Sequence, residues 1–166
     1  MADNEADNEM LKTVRAIADY QFGRGAGKAL FPDSCEFVLS YTGRIRQILD
    51  GGVRIATVKA DTGLLTLSVE GARRLKENFE FPVWRVCVLN EVSSFVAEGR
   101  SVFAKHVVNV YDAIRPGDEV IVVDEDDRLL ATGRAVLSSA EMKEFMRGVA
   151  VEVRQGVKRK RAEGRE

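Results

Sequence analysis

Apolar residues recur along this chain first at helical and then at strand spacing. Leu11, Val14, Ile17 and Ala18 share one face of a helical period, which predicts an amphipathic helix over residues 10–20, with Asp7 or Asn8 as its cap. Residues 1–9 are acidic and polar, carry no such period, and are expected to form a disordered leader. Gly23, Gly25 and Gly27 then interrupt the pattern between Phe22 and Phe31, as glycines do where the backbone tightens. From residue 37 the segments turn strand-like. Residues 37–41, 45–49, 53–58 and 64–67 read as strands, and Asp50-Gly51-Gly52 is a hairpin signal between the second and third. Residues 68–75 close this half as a helix capped by Ser68.

Residues 78–82 read as a linker, because Pro82 cannot donate to a sheet ladder. A second series of short segments follows. Residues 84–89 form a strand, residues 98–100 a turn, residues 101–106 one helical turn, and residues 107–110 are extended. Pro116 and Gly117 sit where a tight reversal wants them. The unbroken apolar run at residues 120–123 predicts a buried strand. Residues 124–127 make an acidic hairpin tip, and residues 129–137 return as a long strand. Ser138 and Glu141 have capping-box spacing and open a short helix to Phe145; residues 148–154 are the last strand. Several short strands at close spacing with glycine turns predict a small barrel. The expected fold class is α+β. Residues 10–82 form a small α+β domain, residues 83–157 a β-barrel (pseudobarrel) domain, and residues 158–166 a basic disordered tail.

Composition narrows this picture. With 45% hydrophobic and 31% charged residues the chain is expected to fold. Its formal net charge is −1, so any nucleic-acid contact must come from a local basic patch. No apolar run approaches the roughly 20 residues that span a bilayer. The acidic start is unlike a signal peptide, so a cytoplasmic location without membrane partners is expected. Cys35 and Cys87 are far apart and His106 is the sole histidine, which excludes a zinc site built from Cys and His. Two reduced, partly buried thiols are expected instead, with no metal and no cofactor.

Four blocks in the second half carry a resemblance. Residues 98–107 (EGRSVFAKHV), 114–120 (IRPGDEV), 129–135 (LLATGRA) and 148–154 (GVAVEVR) resemble, in that order, the PUA domain, an RNA-binding module named for pseudouridine synthases and archaeosine transglycosylases. In the first half, residues 18–27 (ADYQFGRGAG) and 42–46 (TGRIR) are similar to the small domain that precedes the PUA domain in archaeal tRNA-guanine transglycosylase. The resemblance covers roughly residues 11–157. That enzyme's catalytic part is a (β/α)₈ barrel of about 250 residues, which a chain of 166 residues cannot contain. The resemblance therefore implies the RNA-binding region of the enzyme without its catalyst.

The Gly23-to-Lys28 segment lacks the preceding strand, the four-residue spacer and the Ser/Thr of a phosphate-binding loop, so a structural turn is expected. Arg24 or Lys28 on an RNA phosphate is the intermediate reading. His106 and Lys105 have no evident nucleophile or carboxylate partner, and no catalytic residue is assigned. The resemblance implies an RNA-facing surface made by the Gly99 loop, the short helix after it and the last strand. Its candidate residues are Gly99, Arg100, Ser101, Lys105, His106, Arg115, Arg147, Val151 and Arg154. Gly99 would admit a phosphate closely, amides at the start of the Ser101 helix would favour an anion, and the cations would neutralise phosphate. The plain alternative makes Val102, Phe103 and Val107 core and Lys105 a solvated charge. The acids at residues 124–127 are expected to be solvated and to face away from RNA. The expected function is binding of tRNA or another structured RNA, linked to RNA modification by a separate enzyme. The alternative is a protein-interaction subunit of a transglycosylase-like or ribonucleoprotein complex.

Overall fold

The computed structural model describes residues 2–158, and the basic run expected beyond Lys158 lies outside them. The chain divides into two compact units, the first reaching Asn78 and the second beginning at Phe79.

The first unit opens with α1 (Ala2–Phe22), which buries Leu11, Val14, Ala18 and Phe22. The helix runs back through residues 2–9, where the sequence predicts a disordered leader. Once the apolar face from Leu11 onward is docked, further turns add cheaply, and acidic residues suit the positive N-terminal end of a helix. Gly25 takes φ 95° ahead of the short α2 (Ala26–Leu30). A Cβ on Gly27 would stand 2.5 Å from the Arg15 carbonyl oxygen, so glycine is what lets α2 cross α1. Asp19 accepts the Gly27 N–H at 2.7 Å, and the glycine-rich segment is a helix–helix turn.

Strands β1 (Glu36–Leu39), β2 (Ile45–Asp50), β3 (Val53–Val58) and β4 (Leu65–Leu67) form an antiparallel sheet in chain order. Then comes α3 (Val69–Asn78), and the Ser68 hydroxyl accepts the Gly71 N–H at 3.1 Å at its start. Arg74 joins three elements: it donates to Asp50 (3.0 Å) in β2, to the Leu30 carbonyl (3.1 Å) in α2, and to Glu70 (3.0 Å) in its own helix.

The second unit contains β5 (Arg85–Val88), α4 (Ser93–Ala97), β6 (Val102–Phe103), β7 (Val107–Val110), β8 (Glu119–Val123), β9 (Leu129–Ala135), α5 (Ser139–Glu144) and β10 (Val149–Gly156). Its sheet has the order β6-β10-β9-β8-β5-β7, antiparallel except for the β5–β8 pair. The two outermost strands, β6 and β7, are consecutive in the chain. The single 3-10 turn Ala104–His106 joins them, so the sheet curls almost closed into a barrel. All five residues of β8 are buried, as its apolar run predicts. Ser138 and Glu141 make both hydrogen bonds of the predicted capping box. The core gathers Val86, Val88, Val102, Val120, Val122 and Val151.

The acidic tip is more than solvated charge. Asp124 is buried, and its carboxylate accepts the N–H groups of Asp126 and Arg128, each at 2.9 Å. Asp127 pairs at 3.1 Å with Arg85, whose side chain is 3% exposed and also donates to the Phe79 and Val83 carbonyls. Among the described residues no helix is long and apolar enough to cross a membrane.

Candidate nucleic-acid interface

The surface begins where α4 stops. The Gly99 N–H donates to the Val96 carbonyl at 2.9 Å and the Arg100 N–H to the Phe95 carbonyl at 3.1 Å, the paired bonds of a Schellman ending. That ending needs a left-handed residue, and Gly99 supplies it with φ 110°. The position following the glycine commonly folds back over the helix. Here Arg100 does so, its guanidinium 5.7 Å from the centre of the Phe95 ring.

Beyond Arg100 the chain does not form the helix expected at Ser101. Val102 is buried and Phe103 exposed, an alternation that suits β6, which pairs Phe103 with Val149 and Val102 with Val151 of β10. Burial of Val102 in the barrel core overrides the local helical turn, so the anion site expected at a Ser101 helix start is withdrawn. Helical geometry appears three residues later, at Ala104–His106. The Ala104 N–H donates to the Gly148 carbonyl at 2.9 Å. Lys105 and Arg147 each follow or precede one end of that bond in the chain, and both are exposed. Neither makes an ion pair with a described residue.

Arg115 is exposed on the turn before β8, whose Asp118 carboxylate accepts the Arg115 N–H at 2.9 Å. Gly117 and Asp118 are stitched to Ala135, so this turn lies at the end of the sheet where β10 begins. Gly99 and Arg100 lie near its far end, where the Lys158 N–H donates to the Ala97 carbonyl at 2.8 Å. The eight residues of β10 span about 25 Å, so the candidates form an elongated strip rather than a point.

Two predicted site residues have other work. Val151 is fully buried in the core, because a register shift near Ala150 turns both Ala150 and Val151 inward. Its side chain has no surface to offer a ligand. Arg154 gives a two-pronged ion pair to the buried carboxylate of Glu119, with one N–O distance of 3.1 Å. Arg134 pairs with Glu152 beside it, so the outer face of β8–β10 is neutralised from within.

The sequence did not announce an apolar pocket of about 210 Å³ on the same strip. Phe95, Val96, Arg100, Val102, Phe103 and His106 line it, with His106 edge-on to Phe103 at 6.3 Å between ring centres. Phe95 is 51% and Phe103 47% exposed, an unusual wetting of large rings. Their eight-residue separation, in segments of different type, hid the pairing. Neither thiol lines this pocket. Burial, reinforced by nearby carboxylates, pushes Cys35 and Cys87 each up to about 11, so both stay protonated at neutral pH. No cluster of three or more His, Cys, Asp or Glu fit to hold a metal occurs among the described residues.

Comparison with known proteins agrees with this architecture. Residues 12–82 match the patch-forming domain C2 of tRNA-guanine transglycosylase, and residues 84–157 match the PUA domain. A tRNA-guanine(15) transglycosylase of Pyrococcus furiosus is 51% identical over 148 residues, 89% of this chain and 25% of that protein. The enzyme of the same name from Methanothermobacter thermautotrophicus is 45% identical over 157 residues, 94% of this chain and 24% of that protein. The chain thus spans about a quarter of the length of the curated relatives it matches. A crystal structure of a hypothetical protein from Pyrococcus horikoshii superposes with a TM-score of 0.70 at 25% identity, covering 89% of this chain and 90% of that one. The chain therefore carries a PUA domain at residues 84–157, preceded at residues 12–82 by a C2 domain of the tRNA-guanine transglycosylase type.

Proposed function

We propose that this chain binds tRNA or another structured RNA, catalyses nothing itself, and serves RNA modification carried out by a separate enzyme in the cytoplasm. The observation that carries the reading is the strip along β6 and the start of β10. Lys105 and Arg147 stand there without an ion-pair partner among the described residues, next to a pocket walled by two half-exposed phenylalanines. Cations neutralise phosphate and set affinity, while an apolar slot between aromatic rings suits a base splayed out of its stack. Gly99, Arg100, Ser101, His106 and Arg115 complete the contact surface in this reading. The relatives, named for their action on tRNA, support tRNA as the class to test first.

Titration of the full chain with a tRNA transcript at several salt concentrations tests the reading. Binding should weaken steeply with salt, and joint replacement Lys105→Ala and Arg147→Ala should flatten the slope by between about one and two. A slope unchanged by the double replacement, or no binding at low salt, sinks it.

A further inference from the structure

The sheet of the first unit has one closed edge and one open edge. Its strands run β1-β2-β3-β4, so β1 and β4 are the outer ones. The Gln21 side-chain amide closes β4: it accepts the Leu65 N–H at 2.7 Å and donates to the Leu65 carbonyl at 2.9 Å. Those are the two bonds that a further strand would exchange with Leu65. β1 has no such cover. Among the described residues, no hydrogen bond joins the backbone of Phe37 or Leu39 to a group outside the β1–β2 ladder. Val38 is 45% and Leu39 46% exposed, so apolar side chains accompany the bare backbone, the combination that invites strand pairing.

The turn after β1 fixes which groups face the open edge. The Ser40 N–H donates to the Arg44 carbonyl at 2.6 Å, so the Ser40 backbone points at β2. The register shift between the two strands skips Arg46 on the β2 side and leaves β1 unbroken. Backbone groups alternate sides along an antiparallel strand, so Val38 also points at β2, while Phe37 and Leu39 point outward. Side chains alternate faces, which puts Glu36, Val38 and Ser40 on one face of the sheet. Arg44, directly opposite Ser40, shares that face. Glu36 and Arg44 are both exposed, and neither makes an ion pair with a described residue.

We propose that β1 pairs with β1 of a second copy of this chain, antiparallel about a two-fold axis at Val38, joining two four-stranded sheets into one of eight strands. A two-fold contact must be its own complement, each group meeting what it needs on an identical surface. This edge meets that condition. Phe37 and Leu39 lie opposite Leu39 and Phe37 of the second copy, and the two pairs exchange four backbone hydrogen bonds. Val38 meets Val38 of the second copy on the axis, in the closer, non-hydrogen-bonded type of pair. Glu36 stands opposite Ser40 of the second copy, whose short side chain leaves the Arg44 guanidinium beside it within reach of the carboxylate. Symmetry makes that ion pair twice. A strand of another protein would have to supply the matching charge, apolar residue and charge independently, whereas a second copy supplies them by symmetry. The pairing does not depend on the RNA-binding reading above.

Sedimentation equilibrium of the full chain at about 5–500 µM tests the proposal. Two such short edges bury well under the ~1,600 Å² of a standard interface, so a dissociation constant of about 10–100 µM is expected. Val38→Lys places two like charges on the axis and should weaken association by about tenfold or more. Glu36→Arg and Arg44→Glu, each alone, should weaken it by a similar factor. An equimolar mixture of these two single variants should regain the parental affinity, because each supplies the charge the other lacks. Val38→Cys should give a disulfide-linked dimer under a mild oxidant, since residues in such a pair have Cβ atoms about 4.5–5.5 Å apart. All four positions of substitution are exposed, and circular dichroism should show every variant folded like the parent. A parent that stays monomeric at about 500 µM overturns the proposal and leaves the edge to a strand of another protein. A dimer indifferent to Val38→Lys, or a mixture that associates no more tightly than its two components, overturns it as well.

Discussion

Arg154 of β10 reaches across β9 to hold the carboxylate of Glu119 in β8, a side chain only 4% exposed. The Thr132 hydroxyl gives Glu119 a further hydrogen bond at 3.3 Å. A charge this deep requires its partner. Arg154→Ala should therefore lower unfolding free energy by about 2–3 kcal/mol, an amount set by the orphaned carboxylate. Arg154→Gln/Glu119→Gln should recover part of that loss. Urea denaturation measures both, and RNA affinity of the folded protein should change little in either. A stable Arg154→Ala protein that fails to bind RNA would reverse the assignment.

Gly99 offers a second separation of fold from function. A Cβ there would meet nothing within 4 Å, so only the positive φ resists substitution. Gly99→Ala should cost about 1–2 kcal/mol, and Gly99→Asn less, since Asn tolerates that region better. If close approach of a phosphate is also needed, Gly99→Asn will keep most of its stability and still lose RNA affinity. Thermal unfolding and titration on the same samples distinguish the cases.

Phe103 is 47% exposed, and its removal should leave the barrel intact. Phe103→Ala should weaken RNA binding by about 1–3 kcal/mol if a base stacks in the pocket, and Phe103→Trp should restore it. Equal affinities across the three proteins would remove the pocket from the interface.

The first unit has a pH signature. The Ser34 hydroxyl, at 2.7 Å, and then the Arg74 guanidinium hold the Asp50 carboxyl below the usual carboxylate range. A depressed carboxyl adds stability that is present above its unfolded value of about 3.9 and lost as pH falls through the folded value. Asp50→Asn should therefore be less stable than the parent at neutral pH, with the gap closing as pH drops below about 4. Denaturation midpoints that stay parallel across that range would contradict this.

Local signals in the sequence were enough for much of the fold. The Asp50-Gly51-Gly52 turn, the apolar run of β8 and the Ser138–Glu141 box each decide their element within a few residues. What escaped depends on distant packing. The five residues of α4, two Ser, one Phe, one Val and one Ala, are too short for a period and mostly of weak helix propensity; the burial of Val96 and Ala97 and the glycine ending sustain them. Charge in a sequence does not name its partner, so Arg154 read like Lys105 although a carboxylate 35 residues away commits it. Val151 was lost to a register shift, which strand alternation does not foresee.

The 3-10 turn that carries Lys105 is also the strap between the sheet's two outer strands. The Leu89 N–H donates to the His106 carbonyl at 3.0 Å, while Ala104 is tied to Gly148 on the other side. Outer strands left bare invite pairing with other chains and aggregation. In this protein, loosening that turn would mean prising open the barrel and baring those edges. Amide protons of Leu89 and Ala104 should therefore exchange with solvent as slowly as those of the barrel strands.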